Sequence, residues 1–506
     1  MVKTHPALEE FKTIAREKLK NLNNKVIVPV WCELVLDLES PVALFYKVCK
    51  DEDYSFLLES TDGGEQFGRY SILGCKPLYI IKAEDNIVKI FNMLTGEVIQ
   101  AGSDPYEALK NFLSEYSLVD EGKPYFSGGA VGYFSYDSVR HIEPVLNDLF
   151  TTIEHCVSFP EAYFMIADTT IVFDHVKHRI YLINNVFVDE TRDLEIIYKN
   201  AIEKINDIIR KIEQPLSAPV LKLNDTPRET TIKSNISKEK WNSIINKTIE
   251  YIRAGDIFQA VLSQRFEIEK PDIDNFIIYR TLRSLNPSPY MYYLHFKDFQ
   301  IIGSSPEMLV KCTPDGTVNT HPIAGTRHRG FSLEEDDLLA QDLLGDPKER
   351  AEHIMLVDLS RNDLGRVCEY GSVKMARLME IEKYSHVMHI VSDVTGKLKK
   401  DISIIDLLRA CFPAGTLSGA PKIKAMEIIY ELEQSARGPY GGCVGYIGFN
   451  NELNTAITIR TMLIKDNKLF VQAGAGIVAD SVAENEYQEC VNKAKALIQT
   501  INLLSP

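Results

Sequence analysis

From residue 25 to about residue 185 apolar and polar positions alternate in short runs cut by turn residues. The runs KVIVPVWCELV, FLLES, GRYSILG, LYIIKA, NIVKIFN, GGAVGYFSYD, AYFMIADTTIVFD and RIYLINNVFV are rich in β-branched and aromatic residues. That spacing predicts antiparallel sheet, with one helix over 105–116. A helical pattern follows over 189–213. Residues 214–235 carry Pro215, Pro219 and Pro227 among several Ser and Thr, which predicts a linker and a division into 1–230 and 235–506.

Past the linker the period changes. Ser237 reads as a helix N-cap, the helix runs to Ala254, and Gly255 stops it. Strands at AVLSQRFEI, PYMYYLHF, QIIGSSPEMLVKC, VMHIVSDVTGKL, GCVGYIGFN, LNTAITIRTMLIKD and KLFVQAGAGIVAD alternate with helices at DLLRACF and IKAMEIIYELE, while AGTLSGAPK reads as a loop. The fold class is α/β (α+β). Residues 128–134 (GGAVGYF) and 441–447 (GGCVGYI) nearly repeat. They are either related sheets in two halves or two tight glycine-rich strand starts, the second being preferred.

Two helices combine a buried stripe with carboxylates. Asp346, Pro347 and Glu349 predict an N-cap, a first-turn proline and a capping-box partner, with Gly365 as the stop. Ile354, Val357 and Leu364 form its apolar stripe, and Glu349, Glu352 and His353 share another face. At the C-terminal end Ser481 and Glu484 predict a second capping box. Cys490, Ala494, Leu497 and Ile501 make that helix's stripe, beside Glu486, Glu489 and Lys493. Such faces are ordinarily just solvated, but two of them together could hold a hard divalent ion such as Mg²⁺ through oxygen ligands. Spacing alone leaves both readings open.

Composition narrows the classes. The chain has 506 residues, 45% of them hydrophobic, and a net charge of −15 without a basic block. Nucleic acid and anionic membranes are therefore not expected partners. The start, MVKTHPALEEFKTIAREKL, is charged throughout, and no apolar run is long enough to span a bilayer, so the sequence predicts a cytoplasmic protein. Nine cysteines are scattered singly, Cys32, Cys49, Cys75, Cys156, Cys312, Cys368, Cys411, Cys443 and Cys490, with no CxxC pair. They read as small buried hydrophobes and not as a disulfide frame or zinc site.

Three motif matches lead nowhere. GAGIVA at 474–479 follows a strand, but too little chain remains for a dinucleotide-binding unit. GGCVG at 441–445 fits a nucleophile elbow, yet no histidine lies beyond His389 to serve as its base. AGTLSGAPK lacks the lysine spacing of a phosphate-binding loop.

The blocks SSPEMLVK, HPIAGTRHRG, AEHIMLVDLSRNDLGRV, YSHVMHIVSDVTG, CFPAGTLSGAPK, RGPYGGCVGYIGF, TAITIRTM and VQAGAGIVADS, followed by EYQE, occur in that order over roughly 237–503. In this the chain resembles the chorismate-utilising enzyme family. The resemblance implies two large, mainly antiparallel sheets in a sandwich, with helices packed outside. Members that add water to chorismate place a lysine base where this chain has Gln259. A neutral amide cannot deprotonate water but can hold ammonia, which needs no base. Aminodeoxychorismate-forming members, the alternative, commonly use a covalent lysine where this chain has Ala324. The resemblance is thus to the aminating, anthranilate-forming branch, which makes anthranilate and pyruvate from chorismate and ammonia.

That resemblance implies roles residue by residue. Glu352 and Glu489 would ligate Mg²⁺, with Glu349 and Glu486 nearby. Gly325, Thr326 and the backbone of Gly474, Ala475 and Gly476 would help hold the ring carboxylate. Tyr440, Arg460 and Lys493 would hold the other oxygens. Glu307 would be the general acid, and His389 would serve the lyase half. Glu59 and Ser60, with Pro289, Tyr290 and Met291, resemble a split tryptophan site for feedback inhibition in the 1–230 region and its neighbour. No glutaminase module is visible, so ammonia is expected from a separate glutamine amidotransferase subunit.

Overall fold

The computed structural model describes residues 2–21, 25–60, 68–119, 126–154, 157–224, 230–384 and 387–504. Cys156, the middle of the expected linker at 225–229, and Ser385 and His386 of the YSHVMH run lie outside the described residues. Two large, almost wholly antiparallel sheets form the centre, of thirteen and twelve strands among the described residues. Phe56, Tyr292 and Leu294 of the first share one buried cluster with Val131, Tyr133 and Val444 of the second. The outer face of the first carries the helices Leu8–Asn21, Leu194–Ile212, Asn275–Leu285 and Ala483–Asn502. The outer face of the second carries Pro105–Ser114, Pro347–Val367 and Ile404–Cys411. The expected sandwich with helices outside is what forms, because alternate residues of each strand serve alternate layers: Phe56 faces the other sheet, and Leu57 faces the helices.

Neither sheet stops at the linker. Tyr54–Glu59 pairs with Tyr290–Phe296, placing Leu58 opposite Tyr292. Gly129–Phe134 pairs with Cys443–Gly448, placing Gly132 opposite Gly445. The near-repeat is therefore two adjacent strands of one sheet that join the halves. A Cβ on Gly132 would lie 2.0 Å from the Tyr163 carbonyl oxygen, and one on Gly445 2.1 Å from that of Asn454. Only glycine lets the flanking strands come so close.

Two sharp corners carry the chain from one sheet to the other. Phe299–Ser305 belongs to the thirteen-stranded sheet and Met308–Cys312 to the twelve-stranded one, so Pro306 and Glu307 turn between them. Leu453–Ile457 and Thr461–Lys465 stand in the same relation, with Arg460 at the turn. The run LNTAITIRTMLIKD is thus two strands. Arg460 takes φ 50° there, a left-handed conformation costing about 1–2 kcal/mol. The corners are clamped to each other: Ser304 N donates to Arg460 O at 3.0 Å, Ile457 N to Glu307 O at 3.0 Å, and Ser305 Oγ to Ile457 O at 2.7 Å.

Several expected boundaries shift. The helix expected over 105–116 ends at Ser114, Tyr116–Leu118 being strand. That expected over 189–213 begins at Leu194, capped by Asp193. Pro347–Val367 starts as expected, with Asp346 accepting from Lys348 N and Glu349 N, but it runs through Gly365. Glu349 completes no capping box, since its carboxylate accepts Arg327 Nη1 at 3.2 Å. Ile354 is 47% exposed and leaves the apolar stripe, whereas His353 is fully buried with Nε2 2.6 Å from Ser392 Oγ. The last helix is Ala483–Asn502 after an uncapped Val482; Ser481 Oγ accepts Val478 N at 3.0 Å and Glu484 pairs with Lys238 at 2.8 Å. Leu8–Asn21, Pro41–Val48, Asn275–Leu285 and Leu333–Gly345 are helices, and Lys374–Lys383 a strand, that the sequence pattern did not announce. Every described cysteine is free, and all but Cys75 are buried.

Candidate active site and a second cavity

A cavity of about 620 Å³ opens where the two corners meet the helices Pro347–Val367 and Ala483–Asn502. Gln259, Glu307, Gly325, Thr326, Glu349, Glu352, His389, Tyr440, Arg460, Gly474, Gly476, Glu486, Glu489 and Lys493 all line it. Ala475 does not. Strand alternation turns its side chain into the apolar cluster with Trp241 and Ile257. Lys348, Thr416 and Gln472, to which the sequence pattern gave no role, also line the wall.

Glu307 sits at one corner with its carboxylate accepting the Thr416 hydroxyl at 3.0 Å. Burial pushes its carboxyl up to about 7, against the opposing pull of Thr416, His321 and Lys493. It can carry a proton near neutrality. Opposite stands His389 on the strand Val387–Lys397, paired across a bulge with Thr326. The bulge depends on Gly325 at φ 69°, which aims its carbonyl at His389 Nδ1, 2.8 Å away. A carbonyl only accepts, so Nδ1 carries the proton and Nε2 keeps its lone pair. Burial lowers this imidazole's pKa, so the ring is neutral.

Arg460 makes no side-chain hydrogen bond or ion pair with the described residues, and burial draws its pKa below the usual value. Lys493 is anchored to Gly474 O at 2.9 Å and Glu489 at 2.7 Å. An unpaired guanidinium in a cavity wall calls for an anion, and its planar fork suits a carboxylate. Gln259 is buried, and its side chain favours the ionised form of Glu352 against the opposing push of burial and Glu349. A Cβ on Gly476 would come within 2.4 Å of the Gln259 amide nitrogen, so the glycine makes the space for that amide. Ala324, in the same wall, offers no nucleophile.

The acidic side has the chemistry of a cation site. Glu352 is held above the usual carboxylate range by burial and then by Glu349, and Glu486 by burial and by Glu489. Among the described residues no three of His, Cys, Asp and Glu gather closely enough to hold a metal by themselves. Carboxylates from two helices fit a hard ion that takes only one or two protein ligands and fills its shell with substrate oxygens and water, as Mg²⁺ does.

A second cavity of about 380 Å³ lies between the sheets, lined by Leu58, Glu59, Ser60, Pro289, Tyr290 and Met291 with apolar walls from Ile72, Phe126, Val444 and Tyr446. It brings together all five residues expected to form the tryptophan site. Ser60 Oγ is buried there without a hydrogen-bond partner among the described residues. Glu59 behaves differently from the expectation. Its carboxylate turns to the helix Asn275–Leu285, accepting Tyr279 OH at 2.5 Å and Arg283 at 2.9 and 3.1 Å, so these oxygens are already engaged. Tyr290, in the wall of this cavity, is the cross-strand partner of Ser305, which precedes the Glu307 corner.

Comparison with known proteins shows the family and the fold. A family model described as chorismate binding enzyme matches residues 54–499. The anthranilate synthase component 1 of Acetivibrio thermocellus is 47% identical over 502 residues, covering 98% of each chain. The crystal structure of anthranilate synthase component I from Streptococcus pneumoniae superposes with a TM-score of 0.75 at 40% identity, covering 85% of this chain and 92% of that one. The menaquinone-specific isochorismate synthase of Escherichia coli shares the fold, with a TM-score of 0.71 at 18% identity, covering 98% and 99%.

Proposed function

The chain belongs to the chorismate-binding enzyme family, and from that premise we propose that it works as an anthranilate synthase component 1, a lyase that turns chorismate and ammonia into anthranilate and pyruvate. The observation that carries this reading is Gln259, a neutral amide in the cavity wall where water-adding members of the family carry a lysine. It can hold ammonia and cannot generate hydroxide. Ala324 separates the site from aminodeoxychorismate-forming relatives that act through a lysine.

Arg460 takes a substrate carboxylate by its guanidinium fork, and Lys493 and Tyr440 hold further oxygens. Glu352 and Glu489 would hold Mg²⁺, with Glu349 and Glu486 close by; when bound, the ion supplies positive charge to the ring carboxylate. Gly325, Thr326 and the backbone of Gly474 and Gly476 line that side. Ammonia adds at C2 while Glu307 gives its proton to the C4 hydroxyl, which leaves as water. His389, through Nε2, then takes the C2 proton as the C3–O bond breaks and the ring becomes aromatic; the departing enolpyruvate takes a proton at its methylene carbon and becomes pyruvate. Ammonia comes from a glutamine amidotransferase subunit.

The second cavity is read as the site of tryptophan inhibition, with the indole between the apolar walls and the Ser60 hydroxyl supplying a polar contact. Its effect would pass along the Tyr290–Ser305 rung to the Glu307 corner. The test of the function is direct. The purified chain with Mg²⁺, chorismate and an ammonium salt should release fluorescent anthranilate and pyruvate, and glutamine alone should not replace ammonium. Formation of aminodeoxychorismate or isochorismate instead would overturn the reading.

A further inference from the structure

Adjoining the main cavity, and sharing Glu307, Leu356 and Thr416 with it, lies a recess of about 50 Å³ bounded also by Thr320, His321, Ser360 and Asp363. A water needs roughly 10–15 Å³ of such space and two to four polar partners, so the recess can hold one. Thr320 Oγ1 is buried without a partner among the described residues. His321 is clamped, its Nδ1 2.6 Å from Asp393 and its Nε2 3.5 Å from Glu382. Both carboxylates are in turn held by Arg377.

We propose that this recess, with His321 in its wall, is where Glu307 regains its proton, with water held by the Thr320 hydroxyl and the Glu307 carboxyl relaying protons inward. The proposal rests on the function read above. In the ammonia-adding step the Glu307 O–H bond breaks and its proton joins the departing hydroxyl oxygen, which takes the C4–O electron pair and leaves as water. Glu307 is left a carboxylate that borders both the main cavity and the recess. A recess water gives it a proton and takes one from solvent, so nothing else is consumed.

Of the charged and titratable groups lining the two spaces that Glu307 borders, Lys348, Glu349, Glu352, His389, Arg460, Glu486 and Glu489 stand in the main cavity. His321 and Lys493 act on Glu307; Asp363 in the recess is neutralised by Lys422 at 2.9 Å; Cys411, also lining it, is an uncharged thiol. The two carboxylates facing His321 keep it charged against its burial, raising it to about 9, while burial first and that charge second leave His353 neutral. Removing the imidazolium removes a cation that favours the ionised form of Glu307.

The experiment compares wild type, His321→Gln and Thr320→Val with Mg²⁺ at constant free ammonia, recording kcat/KM against pH, the solvent deuterium isotope effect on kcat, and the far-UV melt. His321→Gln is expected to move the high-pH limb of kcat/KM upward by about one unit or more, the usual effect of a lost neighbouring charge. Thr320→Val, of the same shape, is expected to leave the limb in place, lower kcat several-fold and enlarge the isotope effect. An unmoved limb in folded His321→Gln, or a Thr320→Val enzyme with wild-type kcat and isotope effect, overturns the proposal. If His321→Gln does not fold, the Thr320→Val arm decides alone. A wild type that makes no anthranilate overturns the functional reading, and this proposal with it.

Discussion

Substituting Gln for Glu307 keeps the size and the Thr416 hydrogen-bond geometry but removes the titratable proton. The wild-type carboxyl sits at about 7 because burial disfavours its charge. A raised pKa means the acid form is present below that value and lost above it, so the reacting form falls from about half at pH 7 to roughly a tenth at pH 8. kcat/KM should therefore drop about fivefold between pH 7 and pH 8. The assay is anthranilate fluorescence from pH 5.5 to 9, with total ammonium adjusted at each pH to hold free ammonia constant, since free ammonia itself rises with pH. Glu307→Gln should lose roughly 10²–10⁴ in rate, the usual contribution of a positioned acid, and the limb near neutrality should vanish with it. Thr416→Val removes a donor that favours the ionised form, so it should move the limb upward. If Glu307→Gln keeps more than about a tenth of the wild-type rate, or shows the same limb, the proton comes from elsewhere and the assignment is wrong.

Three further outcomes are expected. Glu352→Gln and Glu489→Gln each remove a charge from the cation side, so Mg²⁺-dependent turnover should collapse with the melting curve intact; near-normal activity of both in excess EDTA would refute the metal assignment. Ser60→Leu fills the second cavity and removes its unpaired hydroxyl, so tryptophan inhibition should weaken by ~1–3 kcal/mol, about 5- to 150-fold, with uninhibited turnover unchanged; equal inhibition curves for variant and wild type would sink the tryptophan site. His321 is raised from 6.5 to about 9 in the folded chain, so it contributes stability that is complete below pH 6.5 and lost as pH rises through 9. That is about 3 kcal/mol, readable as a fall in urea midpoint between pH 6 and pH 9.5 that His321→Gln should abolish.

Local signals in the sequence hold where local chemistry decides. Ser237 caps Lys238–Ala254 and Gly255 ends it at φ 86°, because both depend on one turn of chain. Asp346 likewise caps its helix. The signals failed where a distant partner won: Glu349 left its capping box for Arg327, and the Ser481 hydroxyl went to Val478. LNTAITIRTMLIKD has the alternation of one strand, yet the change of sheet at Arg460 is dictated by the neighbouring corner at Glu307. The site residues themselves come from many separate elements. Periodicity put Glu349 and Glu352 on one face, but no spacing joins them to Gln259 or Arg460; the family resemblance supplied those. It gave no role to Thr416 or Lys348, which lie in unremarkable loop and helix positions.

The strand pairings that join the halves also set the order of events when the chain folds. Residues 54–59 find their neighbour only when residues 290–296 exist, and residues 129–134 wait for 443–448. Pairing so remote in sequence is slow to form, because loop-closure entropy precedes any gain from contact. On the ribosome the first half therefore emerges with two open strand edges, Tyr54–Glu59 and Gly129–Phe134, each flanked by apolar surface meant for the other half. Such edges are templates for association with other chains. A fragment ending near residue 230 should accordingly be insoluble alone and be recovered by co-expression with 235–506, which supplies the missing strands.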